Sequence, residues 1–210
     1  MLSLEPAQRV LPSVAGQDGD LCVREWTQDD ASGLIAAVAE SLEHLRPWMA
    51  WAAHTSEETI GWRLQVQEWA MNRAAGRDAV YGIFVAGVPT GGCGLHWRLG
   101  QHGLEIGYWV RREYLRRGIA TRAARLLTNA AFQLKGIDFV EIHHDRANNA
   151  SRGVPQGLGY TLSAEVEREP QAPGEVGIEC QWLIKREEWG EQAASAIRAR
   201  GEANADVLES

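Results

Sequence analysis

The segment that most constrains the fold is a strand-like run that leads through an arginine-rich turn into an amphipathic helix. Residues 104–110 read LEIGYWV with alternating faces, and residues 111–121 read RREYLRRGIAT. An apolar stripe at helical spacing follows from Ile119, and Gly136 is placed to end the helix. Strand, turn and helix in this order leave free backbone N–H groups at the helix start, and such groups bind anions. The pattern therefore predicts an anion site at the turn.

Positive charge is concentrated at this turn. Six of the chain's 21 Lys and Arg side chains fall within 15 positions, although the net charge is −7. They are Arg111, Arg112, Arg116, Arg117, Arg122 and Arg125. Gly118 and Ala120 allow a ligand to approach the backbone, Thr121 can add a hydroxyl donor, and arginine binds phosphate bidentately. A solvated arginine-rich helix face is the alternative, but the glycine inside the cluster favours a phosphate site, in particular one for a diphosphate.

Composition and missing motifs argue against several classes of protein. The P-loop pattern GxxxxGK(S/T) and a GxGxxG turn after the first strand are absent, which argues against a kinase or a dehydrogenase. The negative net charge argues against nucleic-acid binding, and no apolar run approaches the roughly 20 residues that span a bilayer. Cys22, Cys93 and Cys180 are far apart and lack the spacing of a metal site or a disulfide framework, so a reducing cytoplasm is expected.

The rest of the sequence predicts one domain between two tails. Residues 1–19 lack periodicity and are expected to form a flexible arm, residues 20–186 the folded domain, and residues 187–210 a helix that frays into a tail. Strands are predicted at 21–26, 79–87, 90–100, 104–110, 139–144, 159–168 and 176–185. Helices are predicted at about 30–40, 44–51, 56–73, 118–135 and 149–158. Gly153, Pro155 and Gly157 weaken the last of these helices.

Two motifs together resemble a known family. The segments EIGYWVRREYLRRGIAT (105–121) and DRANNASRGVPQGLGY (145–160) are similar to the GNAT N-acetyltransferases, and ESLEHLRPWMAW (40–51) resembles the early helices of the RimJ/RimL-like branch, which acetylates ribosomal-protein N-termini. The resemblance covers residues 20–186. It implies an α+β acyl-CoA N-acyltransferase fold: a mixed, mostly antiparallel, twisted sheet of about seven strands, flanked by helices and splayed where the coenzyme binds. It also implies acetyl-CoA as donor and no metal.

The resemblance implies specific contacts with the coenzyme. The loop before the main helix would grip the diphosphate through Arg116, Arg117, Gly118, Ile119, Ala120 and Thr121. Trp109 and Val110 would pair with the pantetheine arm, which Asn148 and Ser151 would also contact. The first position of the family pattern Gln/Arg-x-x-Gly-x-Gly/Ala is Leu115 here, so Arg112 or Arg116 must supply the missing polarity, and Arg111 is included among the coenzyme-binding residues.

Acetyl transfer needs a neutral amine, and an α-amine with a pKa of about 7.7–8.0 is far easier to deprotonate than a lysine near 10.4. Glu105 lies on the strand face opposite Leu104 and is the candidate base, acting through water; a purely structural carboxylate is the alternative.

Ser151 fits the N-x-x-S pattern formed with Asn148 and is the candidate that protonates the leaving thiolate. Its alternative role is to cap a turn, in which case Tyr160 is the reserve donor.

The acceptor is less well specified by the sequence. Nine tryptophans stand beside three phenylalanines, and Trp48, Trp51 and Trp97, together with Glu105, are predicted to line the acceptor pocket. The acceptor is expected to be a protein N-terminal α-amine or a small-molecule amine, including an antibiotic. A non-catalytic acyl-CoA sensor is the alternative of another class. The protein is expected to be a monomer or a homodimer.

Overall fold

The computed structural model describes residues 9–53 and 59–191. Its centre is an eight-stranded sheet in the order β1-β2-β3-β4-β5-β6-β8-β7. The strands are β1 (Val14–Asp18), β2 (Leu21–Glu25), β3 (Ala79–Val85), β4 (Val88–His96), β5 (Gly103–Val110), β6 (Phe139–Asp145), β7 (Thr161–Glu167) and β8 (Ile178–Lys185). Only the β5–β6 pair is parallel. The predicted mixed, mostly antiparallel sheet is therefore confirmed, with one strand more than expected.

Helices cover both faces of this sheet. They are α1 (Ala31–Ala39), α2 (Leu42–Leu45), α3 (Thr59–Ala74), α4 (Ile119–Gln133) and α5 (Asn149–Gly157), with short 3₁₀ turns at Gln28–Asp30, Ala50–Ala53 and Arg112–Tyr114. One face packs against α4, whose buried stripe joins the main core of the protein. On the other face α1 lies over β4 and α3 over β3, around a smaller core that contains Trp26, Leu34 and Phe84. None of the helices within the described ranges is long and apolar enough to cross a membrane.

The additional strand is β1, which lies inside the segment expected to be a flexible arm. It pairs with β2, and Gly16 packs so closely on α4 that a Cβ there would lie 2.8 Å from a methyl group of Leu126. Asp18 at its end accepts hydrogen bonds from Arg122 and Arg125, and the bond from Arg122 lowers the pKa of this carboxyl most. The arm is thus held by contacts with a helix about a hundred residues later, which no local pattern shows. Residues 1–8 and 192–210 lie outside the described part of the chain.

The sheet splits at its centre. The β5–β6 pairing runs from Gly103 opposite Phe139 to Ile106 opposite Ile142 and stops there. Both strands continue beyond this point, because β5 pairs with β4 as far as Val110 and β6 pairs with β8 as far as Asp145. Backbone N–H and C=O groups face each other across the resulting gap, and those without a partner can bind an extended ligand, as at the edge of a sheet.

Candidate active site

A cavity of about 680 Å³ passes through this gap and opens between the sheet and helices α1 and α3. Its volume is in the range of small-molecule sites. Among the residues that line it are Trp26, Trp48, Trp51, Trp62, Trp69, Glu105, Gly107, Tyr108, Trp109, His143, Asn148 and Ser151. The cavity therefore collects residues from seven strands and α-helices and from the loops between them, and it contains most of the residues predicted for catalysis and acceptor binding.

The arginine-rich turn has the backbone geometry of an anion cradle. Arg116 and Gly118 both adopt the left-handed conformation, with φ of 59° and 70°, and Ile119 then begins α4. Among the described residues, none accepts a hydrogen bond from the backbone N–H groups of residues 117–121. Such a run of unpaired amides at the positive end of a 15-residue helix fits a diphosphate. The first turn of α4 is thus suited to the role predicted for it.

The six arginines of this region divide into two groups. Four hold the fold together: Arg111 pairs with Glu40, Arg112 with Glu43, and Arg122 and Arg125 with Asp18. Within the described residues, Arg116 and Arg117 make no ion pair, and the only recorded contact of either guanidinium is that of Arg117 with the Tyr114 ring at 5.1 Å. These two arginines therefore remain as the phosphate-binding candidates, whereas Arg111 and Arg112 are occupied by carboxylates.

The end of β5 presents its backbone to the gap. The N–H of Arg111 donates to the carbonyl of Thr90 on β4 at 2.7 Å, so alternation along the strand turns the amide of Val110 toward the β6 side. The carbonyl of Val110 is bonded to Nε2 of His44 at 3.0 Å, which ties α2 to this strand end. Trp109 points to the acceptor side, where its ring lies over Gly92. The predicted pairing edge is thus present at Val110.

Asn148 and Ser151 occupy the other side of the gap, at the start of α5. The side-chain oxygen of Asn148 accepts from the N–H of Ser151 at 3.1 Å and caps the helix, which leaves the Asn148 amide group available to a ligand. Pro155 has no N–H for the Ser151 carbonyl four residues earlier, and the Tyr108 hydroxyl donates to that carbonyl instead at 3.2 Å. The Tyr108 and Ser151 hydroxyl oxygens lie 2.9 Å apart. Because Pro155 leaves the Ser151 carbonyl without its helical donor, the Tyr108 hydroxyl can bond to that carbonyl.

Glu105 faces the acceptor side of the cavity, opposite Leu104 as predicted. Its carboxylate is paired with Arg98 at 2.8 Å and lies 3.9 Å from Nδ1 of His143. Only 14% of the side chain is exposed, whereas 60% of the Arg98 side chain is exposed, so the pair is open to solvent from the arginine side. Water can therefore reach Glu105 from the Arg98 side, next to the gap.

His143 is a site residue that sequence reasoning missed. Its ring lies among three carboxylates: Nε2 is 2.5 Å from Glu141, and Nδ1 is 3.4 Å from Glu179 and 3.9 Å from Glu105. Burial alone would lower the pKa of His143, but the hydrogen bond to Glu141 and the other two charges raise it above its ordinary value. The strand register places Glu105 opposite Glu141. In the sequence, only the alternation of Glu141 with His143 on one face of β6 signals this cluster.

The neighbouring histidine has a different role. His144 is buried on the opposite face; its Nδ1 donates to the carbonyl of Asp145 and its Nε2 accepts from the Trp182 indole at 2.9 Å. Burial lowers the pKa of His144, so the ring is neutral and structural. Asp145 accepts from the backbone amides of Ala147, Val176, Gly177 and Ile178, which lower its pKa although burial opposes ionisation. It fixes the two loops that flank the gap.

Two predicted site residues do not line the cavity. The ring of Trp97 packs against the main core and stacks with Arg9, at 4.9 Å. The Tyr160 hydroxyl is buried and bonded to Thr128 at 2.7 Å, and Thr128 donates to the carbonyl of Ala124. Burial raises the pKa of Tyr160. The tyrosine that does reach the cavity is Tyr108, and burial raises its pKa as well, so its phenol stays protonated.

Within the described ranges, no group of three or more His, Cys, Asp and Glu side chains could hold a metal ion. The thiol of Cys93 lines the cavity, but burial raises its pKa strongly, which suits packing rather than nucleophilic attack. The chemistry that the site offers is that of a phosphate cradle, a strand gap, a carboxylate and a hydroxyl pair.

A phosphate cradle beside a split sheet defines the acyl-CoA N-acyltransferase class of fold. A family model described as the acetyltransferase (GNAT) domain matches residues 20–161, and this chain belongs to that family. The candidate ribosomal N-acetyltransferase YdaF of Bacillus subtilis (strain 168) is 28% identical over 142 residues, which are 67% of this chain and 77% of YdaF.

Solved structures agree with the fold. RimL, a ribosomal L7/L12 alpha-N-protein acetyltransferase in complex with coenzyme A, has a TM-score of 0.76 at 17% identity, with 83% of this chain and 99% of RimL covered. RimJ of Mycobacterium smegmatis, in complex with CoA-disulfide, has a TM-score of 0.74 at 22% identity, with 86% and 89% covered. The microcin C7 self-immunity acetyltransferase MccE, in complex with acetyl-CoA and AMP, has a TM-score of 0.73 at 16% identity, with 84% and 98% covered.

The family identifies the reaction. The chain is an acetyl-CoA-dependent N-acetyltransferase, which moves an acetyl group from acetyl-CoA to a primary amine. The predicted family, fold, enzyme class and co-substrate are thereby confirmed, and the alternative of a non-catalytic sensor is not favoured. The roles of individual residues and the identity of the amine remain to be assigned from the geometry.

Proposed function

We propose that this enzyme acetylates an α-amine at a protein N-terminus, with the acceptor entering from the tryptophan-lined side and acetyl-CoA entering from the α4 side. The observation that carries the proposal is the position of Glu105, which faces the acceptor side of the cavity next to the gap in the sheet and pairs with the solvent-exposed Arg98. Similar proteins are named for ribosomal-protein N-terminal acetylation, which supports the same class of acceptor. Such acceptors are found in the cytoplasm, and the three free cysteines of this chain also suit that reducing compartment.

On the donor side, the diphosphate would be held by the amides of residues 117–121 and by the free guanidinium groups of Arg116 and Arg117. The pantetheine arm would extend through the gap, paired with the backbone at Val110 and bonded to the amide group of Asn148. The arm would then present the thioester between Ser151 and Glu105.

On the acceptor side, Glu105 would take a proton from the ammonium group, directly or through a water molecule, so that the neutral amine can attack. An α-amine is partly neutral at pH 7, so a carboxylate open to solvent on one side is a sufficient base. His143 would hold Glu105, Glu141 and Glu179 in place as their shared cation. The cluster would also attract the cationic acceptor to the gap, since it carries three carboxylates around one imidazole.

For the leaving group, Ser151 would donate a hydrogen bond to the departing sulfur. Tyr108 would orient this serine by donating its hydroxyl proton to the Ser151 hydroxyl oxygen, 2.9 Å away, which leaves the Ser151 proton for the sulfur. Without the coenzyme, the same tyrosine proton can go to the Ser151 carbonyl at 3.2 Å. The pKa of Tyr108 is raised by burial, so the pair keeps its protons at physiological pH. Tyr160 is not needed for this step, since its hydroxyl is bonded to Thr128.

The test is an acceptor screen that follows release of the coenzyme thiol and the mass of the product. The purified enzyme and acetyl-CoA would be incubated with peptides that have free N-termini, with the same peptides blocked at the N-terminus but carrying a lysine, and with small amines. Acetylation of free N-termini and not of lysines is expected. Acetylation of lysine side chains at an equal rate would overturn the α-amine assignment, and release of thiol with small amines alone would replace it.

A small-molecule amine is the second candidate acceptor. The specific observation in its favour is that the tryptophan-lined part of the cavity lies between α1, α3 and the sheet, where a compact ligand could bind. MccE, whose fold is similar, has been solved with a nucleotide as well as acetyl-CoA. The small amines in the screen decide between the two candidates.

A further inference from the structure

The acceptor side of the cavity has an unusual lining. Six of the nine tryptophans line it, and they come from separate parts of the chain: Trp26, Trp48, Trp51, Trp62, Trp69 and Trp109. Trp26 is only 2% exposed and belongs to the core, but the other five are partly accessible. Aromatic surface left accessible inside an enclosed cavity is costly in water, and a bound apolar group would cover it.

The floor of this part of the cavity is made of glycine. Gly92 and Gly94 on β4 and Gly107 on β5 all line the cavity, and the register places Gly94 directly opposite Gly107 on one face of the sheet. A Cβ at Gly92 would lie 2.5 Å from the Trp109 indole nitrogen, so this glycine allows the indole to lie flat against the sheet. The His96 ring covers Gly94 in the same way, at 2.9 Å from a Cβ there, whereas a Cβ at Gly107 would come no closer than 3.5 Å to any atom. The open space of the floor therefore lies at Gly107, beside the His96 ring and below the tryptophans.

The chamber adjoins the proposed base. Glu105 lies two residues before Gly107 on the same face of β5, and His96, which a Cβ at Gly107 would approach to 3.5 Å, lies opposite Glu105 in the register. An amine positioned near the Glu105 carboxylate would thus have its nearest substituent directed over Gly107, beside the His96 ring and toward the indoles. Indole rings also attract cations, which suits an ammonium group at the edge of the chamber.

We propose that the acceptor carries an aromatic or large apolar group on the carbon next to its amine or close to it, and that this group binds in the tryptophan chamber over Gly107. The proposal deepens the acetyltransferase function proposed above and depends on it. Two sources have this chemistry: a polypeptide whose first residue is large and apolar, and a small arylalkylamine. An N-terminal alanine or serine would leave the chamber unfilled.

The test compares matched acceptors on the wild-type enzyme. Peptides that differ only in the first residue (Ala, Ser, Leu, Phe or Trp) and the small amines butylamine, phenethylamine and tryptamine would be assayed for kcat/KM with saturating acetyl-CoA. Aromatic acceptors are expected to exceed their small counterparts at least tenfold, because a hydrophobic pocket discriminates about 10–200-fold per methylene. The peptide and amine arms show which source supplies the group.

Gly107→Ala tests the location of the group. A methyl group there would meet only the His96 ring at 3.5 Å, an ordinary contact, so the fold can accept it while the chamber loses depth. We expect a loss of about tenfold in kcat/KM for aromatic acceptors with little change for alanine or serine peptides. Gly157→Ala is the matched control, since a methyl group on that exposed α5 position meets nothing within 4 Å and should change neither class.

The outcomes separate this inference from the function on which it rests. Equal or faster acetylation of alanine and serine peptides by the wild type would overturn the chamber assignment while the acetyltransferase function stands. An equal loss on all acceptors in Gly107→Ala, with coenzyme affinity unchanged, would also overturn it. Failure of every amine while the coenzyme still binds would instead overturn the proposed function.

Discussion

The two sides of the gap are built by different means. The donor side consists of backbone: the amides of residues 117–121, the edge of β5 at Val110 and the cap of α5. The acceptor side consists of side chains, namely a carboxylate cluster around His143 and a chamber of tryptophans over glycine. The donor side lies within two short stretches of sequence, whereas the acceptor side draws on residues from Trp26 to Glu179.

This difference follows from what each side has to recognise. A diphosphate and a pantetheine arm are the same in every acetyl-CoA, so main-chain donors in a fixed conformation suffice, and they depend on local sequence such as the left-handed Gly118. An acceptor varies from one enzyme to another, and side chains can be exchanged without changing the backbone. Substitutions on the donor side should therefore weaken coenzyme binding, whereas substitutions on the acceptor side should change turnover.

The largest effect is expected on the acceptor side, at the proposed base. Glu105→Gln keeps the shape of the side chain but cannot take a proton, so kcat should fall about 100-fold or more while the affinity for coenzyme A is unchanged. The loss should be greatest at low pH, where the amine is mostly protonated. Steady-state rates between pH 6 and 9, together with calorimetry of coenzyme binding, measure both quantities. Rates equal to those of the wild type across this range would make Glu105 a structural residue.

On the donor side, Gly118→Val should weaken coenzyme A binding about 30-fold. A β-branched residue is unstable at a φ of 70°, at roughly 1–2 kcal/mol, so the loop would leave its cradle conformation and the ligand would have to restore it. Gly87→Val is the control, because Gly87 has a φ of 80° in the distant β3–β4 turn and should cost stability without affecting the coenzyme. Calorimetric titration gives the dissociation constants. A similar loss of affinity in both variants would mean that strain alone, and not the cradle, is responsible.

Arg116 and Arg117, which make no ion pair within the described residues, can be compared with the arginines of the basic cluster that pair with carboxylates. Replacing Arg116 and Arg117 together with Gln should weaken coenzyme A binding about tenfold, with a smaller difference at high salt, because both charges are near the surface. Arg125→Gln should instead leave coenzyme affinity unchanged and reduce the free energy of unfolding slightly, since that side chain pairs with Asp18. Titrations at low and high salt and denaturation curves distinguish the two groups. Loss of affinity in Arg125→Gln would contradict the division.

The hydroxyl pair links the two sides. Ser151→Ala should lower kcat about fivefold, roughly the value of one hydrogen bond, without weakening coenzyme binding. Tyr108→Phe should have a similar effect, and the double variant should be no worse than either single one, because the two hydroxyls act as a unit. Single-turnover rates measure this coupling. Full additivity of the two losses would show that Tyr108 does not act through Ser151.

The smallest effect concerns stability at the carboxylate cluster. The folded-state pKa of His143 is raised, so its imidazolium contributes stability that is fully present below about pH 6.5 and is lost as pH rises through the folded-state pKa. His143→Gln should therefore lower the free energy of unfolding on the order of 1 kcal/mol at pH 6 and by much less at pH 9. Urea denaturation at the two pH values tests this. A difference that grows with pH would mean that the neutral ring is the stabilising form.

The turn proposed for the donor side and most of the fold could be predicted because their signals are local. The alternation of Leu104 and Glu105, the apolar stripe of α4 and the glycines at its two ends each act over a few residues. The strand β1 could not be predicted, because Asp18 is held by Arg122 and Arg125 far along the chain. Nor could the choice of Tyr108 over Tyr160, which depends on the carbonyl that Pro155 leaves without a partner.

By itself, the sequence determined the family, the fold class and the left-handed turn at the start of α4, because the conformation at Gly118 and the helix periodicity depend on adjacent residues. Only the tertiary structure decided which arginines are free, which tyrosine reaches the cavity and which acidic residues surround His143. Those choices depend on strand register and on contacts between distant segments, and a shift of one residue in register would move every side chain to the other face. The acceptor side therefore depends on tertiary contacts between distant segments, whereas the proposed donor side depends mainly on local sequence.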